Sequence, residues 1–485
     1  MKWLLMSSFH MFIITSLTFS QSINLKDFFS LVRQNHPSFK ALDLPPRIQQ
    51  INSEQIATRQ DWRIESRPAL VYSRPIPTSP FSPTRVTSAS VDASMNRTFW
   101  STGGRFSVGW ASDLTDQNLP PISFPTAGGR FQIPTGFNRL YTHTFSLNYT
   151  QPLLQNYGGE LDRLPYEISE MQLSITELQT FEQQEKILLS FGISFLEWIL
   201  AEEKVKIAQD RLDLSTEAYR LITEKHESFL VDQVDVLRSE DAVILAEQTL
   251  MLFQSQAESK RAELAIMLEK PDLETMNPVY ALYETREISS PDDVKENISD
   301  LRPIIIQERS IEQLEKQKQG FVEAKKSRLD LNVGFRLLGG DDAIGQSLEM
   351  TYPDFSAVLV YSQTLGKRSA ELDIQKATVQ LRQADYEQKQ AKLEILSRIR
   401  NLWVQIENMK EIMELSRTQI QTAEKKTEQE LELYNKGKSQ LNFVIQSRDN
   451  EENARLRYAE NAVRYHQMIM QYHELTDRLT DVQGE

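Results

Sequence analysis

Two hydrophobic patterns alternate along the chain, and both occur twice in the same order. Apolar and polar residues alternate in short runs, at residues 90–96, 105–110, 145–150, 329–337 and 355–361. Because successive side chains of a strand point to opposite faces, these runs predict half-buried β-strands. Long charged stretches nearly free of proline, at about residues 160–270 and 367–480, predict long helices. The pattern therefore predicts a mostly helical α+β fold made of two similar halves.

The second long helical stretch carries a seam of apolar residues. They recur at alternating spacings of four and three, which favours coiled-coil packing between neighbouring helices. At about 1.5 Å per residue, a helix of about 65 residues reaches roughly 100 Å, longer than a compact domain. The seam indicates a structural role, so we expect function to depend on what the helices enclose. Its members are Ile395, Ile399, Leu402, Ile406, Met409 and Met413.

An internal repeat supports the duplication. Residues 236–241 align with residues 444–449 at an offset of 444 − 236 = 208 residues. Within and just beyond these segments, Ser239 matches Ser447 and Ala246 matches Ala454. A repeat of this kind predicts one structural unit that occurs twice. The predicted divisions are a signal peptide at 1–20, a first repeat at 21–275, a linker at 276–300 and a second repeat at 301–485.

The first repeat is longer than the second because of an insertion. His36-Pro37 aligns with Arg302-Pro303 at an offset of 302 − 36 = 266, and Gln151 aligns with Gln363 at 363 − 151 = 212. The difference, 266 − 212 = 54 residues, falls in the proline-rich and glycine-rich stretch at about residues 74–137. Since insertions usually occupy exposed surfaces, we expect this one outside the scaffold that both repeats share, as an extra hairpin.

Composition narrows the class of protein. The chain has 485 residues, 25% of them charged, and a formal net charge of −14, which argues against a nucleic-acid partner. Cysteine is absent, so disulfides, thiol nucleophiles and cysteine-ligated metal sites are excluded. Lys2, the apolar residues that follow it and the small Ser20 predict a secretory signal peptide. Beyond it, no run approaches the roughly 18 apolar residues of a transmembrane helix.

The strand runs leave two interpretations open. The nine residues of 329–337 are about the length of a tilted membrane-spanning strand, with apolar side chains toward lipid and polar ones toward a lumen. An ordinary sheet that packs one face against a core has the same alternation, and periodicity alone favours it.

The order of several motifs resembles that of the TolC-like outer-membrane efflux proteins. Residues 151–158, Gln-Pro-Leu-Leu-Gln-Asn-Tyr-Gly, are similar to the family's junction between strand and helix. Residues 229–237 and the segment Tyr434-Asn-Lys-Gly437 are similar to its two periplasmic turns. Each repeat also opens as the family's does, the first with Asn35-His-Pro37 and the second with Asp300-Leu-Arg-Pro303. The resemblance covers nearly all of the chain beyond the predicted signal peptide.

This resemblance implies a homotrimer in which four strands from each chain close one 12-stranded outer-membrane β-barrel. The long helices would continue the barrel as a periplasmic α-helical tunnel, and residues 271–300 with the tail after about 475 would form a belt around it. The implied function is that of a passive exit duct in a Gram-negative-type outer membrane, for efflux or type I secretion. The implied partners are a periplasmic adaptor, an inner-membrane transporter of the RND or ABC type, and outer-membrane lipid.

The candidate site residues fall into two groups, neither of them catalytic. The strand-to-helix junction contains Gln151, Pro152, Leu153 and Gly158. The turns depart from the family's pattern, with Phe229 where glycine is usual and Phe443 where aspartate is common. Carboxylates repeated three times at a constriction would favour cations, while solvated turns remain the alternative interpretation. The turn residues are Glu227, Phe229, Asp232, Asp235, Gly437, Asn442 and Phe443.

We predict no enzyme, cofactor or metal site. No phosphate-binding loop and no set of nucleophile and base is present. His466 and His473 are seven residues apart on one helix, where packing or solvation is a simpler explanation than metal binding. The main alternative function is an exported coiled-coil scaffold or adhesin with an accessory β domain. It explains the helices but leaves the strands of both repeats unexplained.

Overall fold

The computed structural model describes residues 22–76, 78–79, 82–119, 122–126, 128–133 and 138–479. The predicted signal peptide at residues 1–20 lies outside the described residues. The chain forms two compact units, and residues of both predicted repeats occur in each of them. We call them the helical unit (residues up to 44, 179–304 and from 390 onward) and the sheet unit (residues 45–178 and 305–389).

The described strands form one large sheet and two small ones. The small sheets each have two strands, which pair in parallel in one case and antiparallel in the other. The strands are β1 (Ser22–Asn24), β2 (Arg63–Ser73), β3 (Arg85–Phe99), β4 (Gly104–Asn118), β5 (Ile122–Thr126), β6 (Gly129–Ile133), β7 (Arg139–Pro152), β8 (Asn277–Val279), β9 (Arg328–Asp341) and β10 (Tyr352–Ser362).

Helices account for 64% of the described residues, in line with the mostly helical fold that the sequence pattern predicts. Two of them have 68 residues each and two have 35, so the helices of the two repeats match in length. They are α1 (Leu25–Asn35), α2 (Pro37–Leu42), α3 (Leu44–Ala57), α4 (Glu160–Glu227), α5 (Gln233–Met267), α6 (Pro291–Glu296), α7 (Arg302–Lys325), α8 (Ile344–Ser347), α9 (Arg368–Asn435) and α10 (Leu441–Leu475).

The large sheet of the sheet unit is antiparallel throughout, with strand order β10-β9-β7-β4-β3-β2. Its register places apolar residues opposite apolar residues from strand to strand. Leu147 of β7, for example, lies between Val108 of β4 and Phe335 of β9. The predicted alternation in β7, β9 and β10 is therefore confirmed.

One face of this sheet is predominantly apolar across all six strands, with Ser66, Ser112 and His143 among its polar exceptions. We call it the apolar face, and several of its side chains are open to solvent, including Leu70 (77% exposed) and Phe355 (68% exposed). The opposite, polar face carries residues such as Ser90, Asn148 and Asn332. The apolar face comprises Ile64, Leu70 and Tyr72; Ala89, Val91, Ala93 and Met95; Phe106, Val108, Trp110 and Leu114; Phe145, Leu147 and Tyr149; Leu329, Leu331, Val333, Phe335 and Leu337; and Phe355, Ala357, Leu359 and Tyr361.

The expectation that the insertion lies outside the shared scaffold is wrong for its longest part. β3 and β4 fall within residues 74–137, yet they lie inside the large sheet, between β2 and β7. The first repeat therefore contributes four strands to this sheet and the second contributes two, so the chain has six strands here and not the four that the family resemblance implies. The physical reason is that β3 and β4 alternate with the same period as their neighbours, so the sheet accepts them in register.

The helical unit has a core built from α1, α4, α5, α7, α9 and α10. The predicted seam on α9 is buried there, since Ile399 and Ile406 are fully inaccessible and Met413 is 2% exposed. Aromatic side chains fill the largest spaces, among them Trp198 and Tyr465. Among the helices that the structure describes, none has a stretch both long and apolar enough to cross a membrane.

Candidate functional site

The predicted strand-to-helix junction is a tightly bonded connection between β7 and α4. The Asn156 side chain caps the start of α4, because its Oδ1 accepts hydrogen bonds from the backbone N–H groups of Leu161 (2.9 Å) and Asp162 (3.3 Å). Leu153 donates its backbone N–H to the carbonyl of Leu329 on β9 (2.7 Å). Pro152 is buried at the end of β7. The strand end and the helix start are therefore fixed together.

The turn between β3 and β4 is part of the same junction. Arg163 Nη1 donates to the carbonyl oxygens of Trp100 (3.1 Å) and Gly158 (2.6 Å), which joins this turn to the start of α4. Gln151 Nε2 donates to the carbonyl of Thr102 (2.8 Å). Two of the four predicted junction residues are thus linked to the inserted hairpin. Gln151 bonds to it directly at Thr102, and Gly158 is linked to it through Arg163, which also bonds to Trp100.

Two glycines allow this close approach. Gly159 has φ +71°, and a Cβ there would lie 2.0 Å from the carbonyl oxygen of Trp100. At Gly103, with φ +70°, a Cβ would lie 2.5 Å from the carbonyl oxygen of Asn156. Gly159 and Trp100 were not among the predicted site residues. The sequence feature that indicates this contact is the two pairs of glycines at 103–104 and 158–159, because glycine lets two backbones approach closely.

The two helical turns are built alike, as the repeat at offset 208 predicts. Phe229 (φ 55°) and Gly437 (φ 69°) both adopt the left-handed conformation. After α4, Leu230 donates its N–H to the carbonyl of Lys225 (2.9 Å), and after α9, Lys438 donates to Leu433 (2.9 Å). This pattern is the Schellman end of a helix, in which the left-handed residue is normally glycine.

Exchanging these two residues has opposite expected effects on stability. A left-handed conformation costs a residue with a Cβ about 1–2 kcal/mol, while glycine loses more backbone entropy on folding, about 0.5–1 kcal/mol. Phe229→Gly should therefore stabilise the protein by roughly 0.5–1 kcal/mol, and Gly437→Phe should destabilise it by a similar amount. The midpoint of urea unfolding in detergent measures both. Shifts in the same direction would contradict the shared geometry.

The predicted acidic residues lie together at the first turn. Glu227 is the last residue of α4, Asp232 precedes α5 and Asp235 lies in its first turn. Asp235 forms an ion pair with Arg238 on the same helix, with 3.2 Å between Oδ1 and Nη1. Part of the negative charge predicted for this turn is therefore neutralised locally.

The two turns differ in surface chemistry. At the first turn, Phe229 is 95% exposed and Leu230 is 72% exposed, and Val234 is also open to solvent. The second turn has Gly437 and the polar sequence Lys438-Ser-Gln440. Asn442 and Phe443 follow in the first turn of α10, where Phe443 is 48% exposed.

Side chains behind the turns hold the two helical hairpins together. Ile222, Val236, Leu441 and Val444 form a small buried cluster that draws on α4, α5 and α10. Lys225 Nζ donates to Asn435 Oδ1 (2.7 Å) and lies 5.0 Å from the centre of the Tyr434 ring. Val236 and Val444 occupy equivalent positions of the repeat, so the internal symmetry of the sequence is also a symmetry of the packing.

The sequence does not predict a charge cluster in the helical unit, in which Glu185 is buried and Glu182, Asp477 and Arg302 are half-buried. The Arg302 guanidinium donates to Glu185, forms an ion pair with Asp477 (3.2 Å between Nη2 and Oδ1) and lies 3.4 Å from Glu182, while its backbone N–H donates to Asp477 Oδ2 (2.6 Å). The pKa of both glutamates is raised to about 7, mainly by burial and also by the charge of Asp477, against the opposing effect of Arg302. The three carboxylates are close enough to ligate a cation together, but the Arg302 guanidinium already serves as their counter-ion.

His466, one of the two histidines that lie seven residues apart on one helix, is a core residue. His466 is fully buried, with Nδ1 3.0 Å from the hydroxyl of Tyr280 and Nε2 3.0 Å from the carbonyl of Leu282. Burial lowers its pKa to about 4, so the ring is neutral at physiological pH. Both ring nitrogens of His466 therefore have hydrogen-bond partners within the protein, which agrees with a packing role.

The chain has a TolC-like fold, like that of solved outer-membrane channels. It resembles the open state of the Neisseria gonorrhoeae MtrE outer membrane channel with a TM-score of 0.65 and 11% identity, over 94% of this chain and 89% of that one. The outer membrane protein VceC of Vibrio cholerae gives 0.63 and 11%, over 93% and 95%. The Campylobacter jejuni CmeC channel gives 0.62 and 12%, over 94% and 86%.

At these identities the similarity shows the fold alone. No protein-family model matches the chain, and no curated protein matches its sequence. The resemblance inferred from the sequence motifs is confirmed at the level of fold.

Proposed function

We propose that this chain is the outer-membrane exit duct of a tripartite efflux or type I secretion system. The apolar face of the large sheet carries the proposal. It extends over all six strands with many side chains open to solvent, whereas the largest exposed apolar patch of a soluble protein is usually about 300–600 Å². Side chains that alternate apolar and polar along β3, β4, β7 and β9 suit a wall between lipid and water.

The large sheet also supports the assembly of three copies of the chain. A single sheet of this kind leaves two edges with unpaired backbone groups, which lipid does not tolerate. Three copies that share one closed β-barrel would satisfy these groups, and the long helices would continue it as a periplasmic tunnel. Transport through such a duct needs no chemistry in this chain, so the energy must come from an inner-membrane transporter of the RND or ABC type.

The helical turns are the proposed contact with a periplasmic adaptor. Phe229, Leu230 and Val234 present apolar surface at an otherwise polar tip, and exposed apolar patches rimmed by polar residues mark protein interaction sites. The second tip, with Gly437, is polar, so the two tips of one chain would bind different parts of an adaptor.

Membrane fractionation and sizing test this proposal. We expect the full chain to stay with outer-membrane vesicles through a high-salt wash, to require detergent for extraction and to migrate as a trimer. A protein that leaves the membrane in high salt and is a monomer without detergent would contradict the duct and favour a coiled-coil scaffold.

Paired substitutions on one strand test which face meets lipid. Leu147 lies on the apolar face and Asn148 on the polar face of β7, near the middle of the strand. Arginine at the bilayer midplane costs about 2–4 kcal/mol on the lipid face, so Leu147→Arg should lower stability by that amount. Asn148→Arg should cost less than about 1 kcal/mol, because a lumen accepts charge. Urea unfolding in lipid vesicles distinguishes them, and equal costs would argue against a lipid-facing surface.

The acidic turn is proposed to bias the aperture toward cations. Three copies of Glu227 and Asp232 at a constriction would concentrate cations and repel anions. We expect the double substitution Glu227→Gln, Asp232→Asn to lower the ratio of cation to anion permeability, measured from reversal potentials in a salt gradient. Asp235→Asn should change this ratio less, because Arg238 already neutralises Asp235. An unchanged ratio in the double variant would place the constriction elsewhere.

A further inference from the structure

The inserted hairpin has no counterpart in the second repeat. An offset of 266 carries the start of β2 at Arg63 to residue 329 in β9, and an offset of 212 carries β7 onto β10. β2 and β7 are therefore the strands that both repeats share. β3 and β4, which span residues 85–118, are additional.

The additional strands have the features of a membrane wall rather than of an external loop. Val91 and Met95 of β3 lie on the apolar face, and so do Val108 and Trp110 of β4. Ser88, Ser90, Asp92 and Ser94 alternate with the apolar residues and lie on the polar face. Both strands have 15 residues, which is long enough to cross a bilayer.

The turn of the hairpin is also fixed to the junction between β7 and α4. The carbonyl oxygens of its turn accept hydrogen bonds from the junction, Trp100 from Arg163 Nη1 and Thr102 from Gln151 Nε2. A hairpin held at this turn, with β3 paired to β2 from Val86 to Asn96 and β4 paired to β7 from Arg105 to Asp116, is an integral part of the sheet.

The two edge strands of the large sheet match each other in length and in exposure. β2 and β10 each have 11 residues, and all but one of these are exposed in each strand. Because the sheet contains six antiparallel strands, its two edge strands run in opposite directions. The β2 edge of one copy can therefore continue the antiparallel order beside the β10 edge of the next, and head-to-tail contacts of this kind close into rings.

We propose that the partner on both edges is another copy of this chain, and that three copies close a barrel of 3 × 6 = 18 strands. The proposal rests on the proposed duct and its trimer, and it replaces the 12 strands that the family resemblance implies. With strands about 4.8 Å apart and tilted by about 40°, 18 strands give a diameter of about 36 Å, against about 24 Å for 12. The outer mouth would thus be about half as wide again, and bulkier cargo could leave through it.

Cysteine cross-linking tests the seam, because the natural chain contains no cysteine. Ala69→Cys on β2 is combined in turn with Ser356→Cys, Val358→Cys and Val360→Cys on β10, all on the polar face. Opposed residues of antiparallel strands lie within disulfide reach, so at least one combination should give linked dimers and trimers on oxidation. Ser90→Cys is directly across from Ala69 but one strand inward, and it should give none with the same partners.

Electron cryo-microscopy of the full chain in detergent counts the strands directly. We expect 18 strands, with β3 and β4 in the wall. A trimer with 12 strands and the hairpin outside the wall would overturn this inference and leave the proposed duct intact. A protein that is monomeric without detergent would overturn both. A trimer in which no edge cysteine cross-links would overturn this inference alone and leave the proposed duct intact.

Discussion

Gly159→Ala should destabilise the sheet unit by about 2–5 kcal/mol. The alanine would adopt a left-handed conformation, which costs about 1–2 kcal/mol. Its Cβ would also lie 2.0 Å from the backbone oxygen of Trp100, and relieving such an overlap typically costs about 1–3 kcal/mol. The overlap involves backbone on both sides, so a side-chain rotation cannot relieve it.

The neighbouring glycine is a matched control. Gly158 has φ +67°, nearly the same as Gly159, but no atom lies within 4 Å of where its Cβ would be. Gly158→Ala should therefore cost only the conformational part, about 1–2 kcal/mol. Urea unfolding of the purified variants in detergent measures the difference. Equal losses in both variants would mean that the inserted hairpin does not press against the junction.

Arg302→Ala should be the most damaging change in the helical unit at alkaline pH. It removes the guanidinium that holds Glu182, Glu185 and Asp477, with Glu474 close by. Removing one partner of a buried ion pair typically costs about 3–5 kcal/mol, because the remaining charge is left buried without compensation. Arg309→Ala is the control on the same helix: its ion pair with Glu312 is exposed, so the loss should stay below about 1 kcal/mol.

The loss of stability in Arg302→Ala should increase as pH rises. In the folded protein the pKa of Glu182 and Glu185 is raised to about 7, above the ordinary value of 4.5. Between these values the folded state binds more protons than the unfolded state, so their contribution to stability falls as pH rises through this window. Without Arg302 the ionised forms are disfavoured still more. The loss in Arg302→Ala should therefore be largest near pH 8 and less than half as large near pH 5, and equal losses would contradict the account.

Periodicity was sufficient to predict the faces of individual strands and the buried seam on α9. Phe145, Leu147 and Tyr149 were assigned to one face from alternation alone, and Ile399 and Ile406 were assigned to the seam from their spacing. Both results depend on local geometry, which the chain repeats every two residues in strands and about every three and a half in coiled-coil helices. The shared offset likewise placed Phe229 and Gly437 at equivalent turns.

The sequence pattern does not reveal which strands pair with each other when they are far apart along the chain. The offsets showed that 54 residues were added, but not that β3 would pair with β2 and β4 with β7. The charge cluster was missed for a similar reason. Glu182 and Glu185 look like ordinary surface residues of a charged helix, and Arg302, which makes them distinctive, lies 302 − 185 = 117 residues further along the chain.

Single-channel recording of the purified full chain in planar lipid bilayers tests the central claim most directly. A passive duct should insert from detergent and give discrete, long-lived steps of ionic current without any energy source. Folded protein that inserts into the bilayer and gives no current above the detergent control, at any voltage or salt concentration, would contradict a role as a duct.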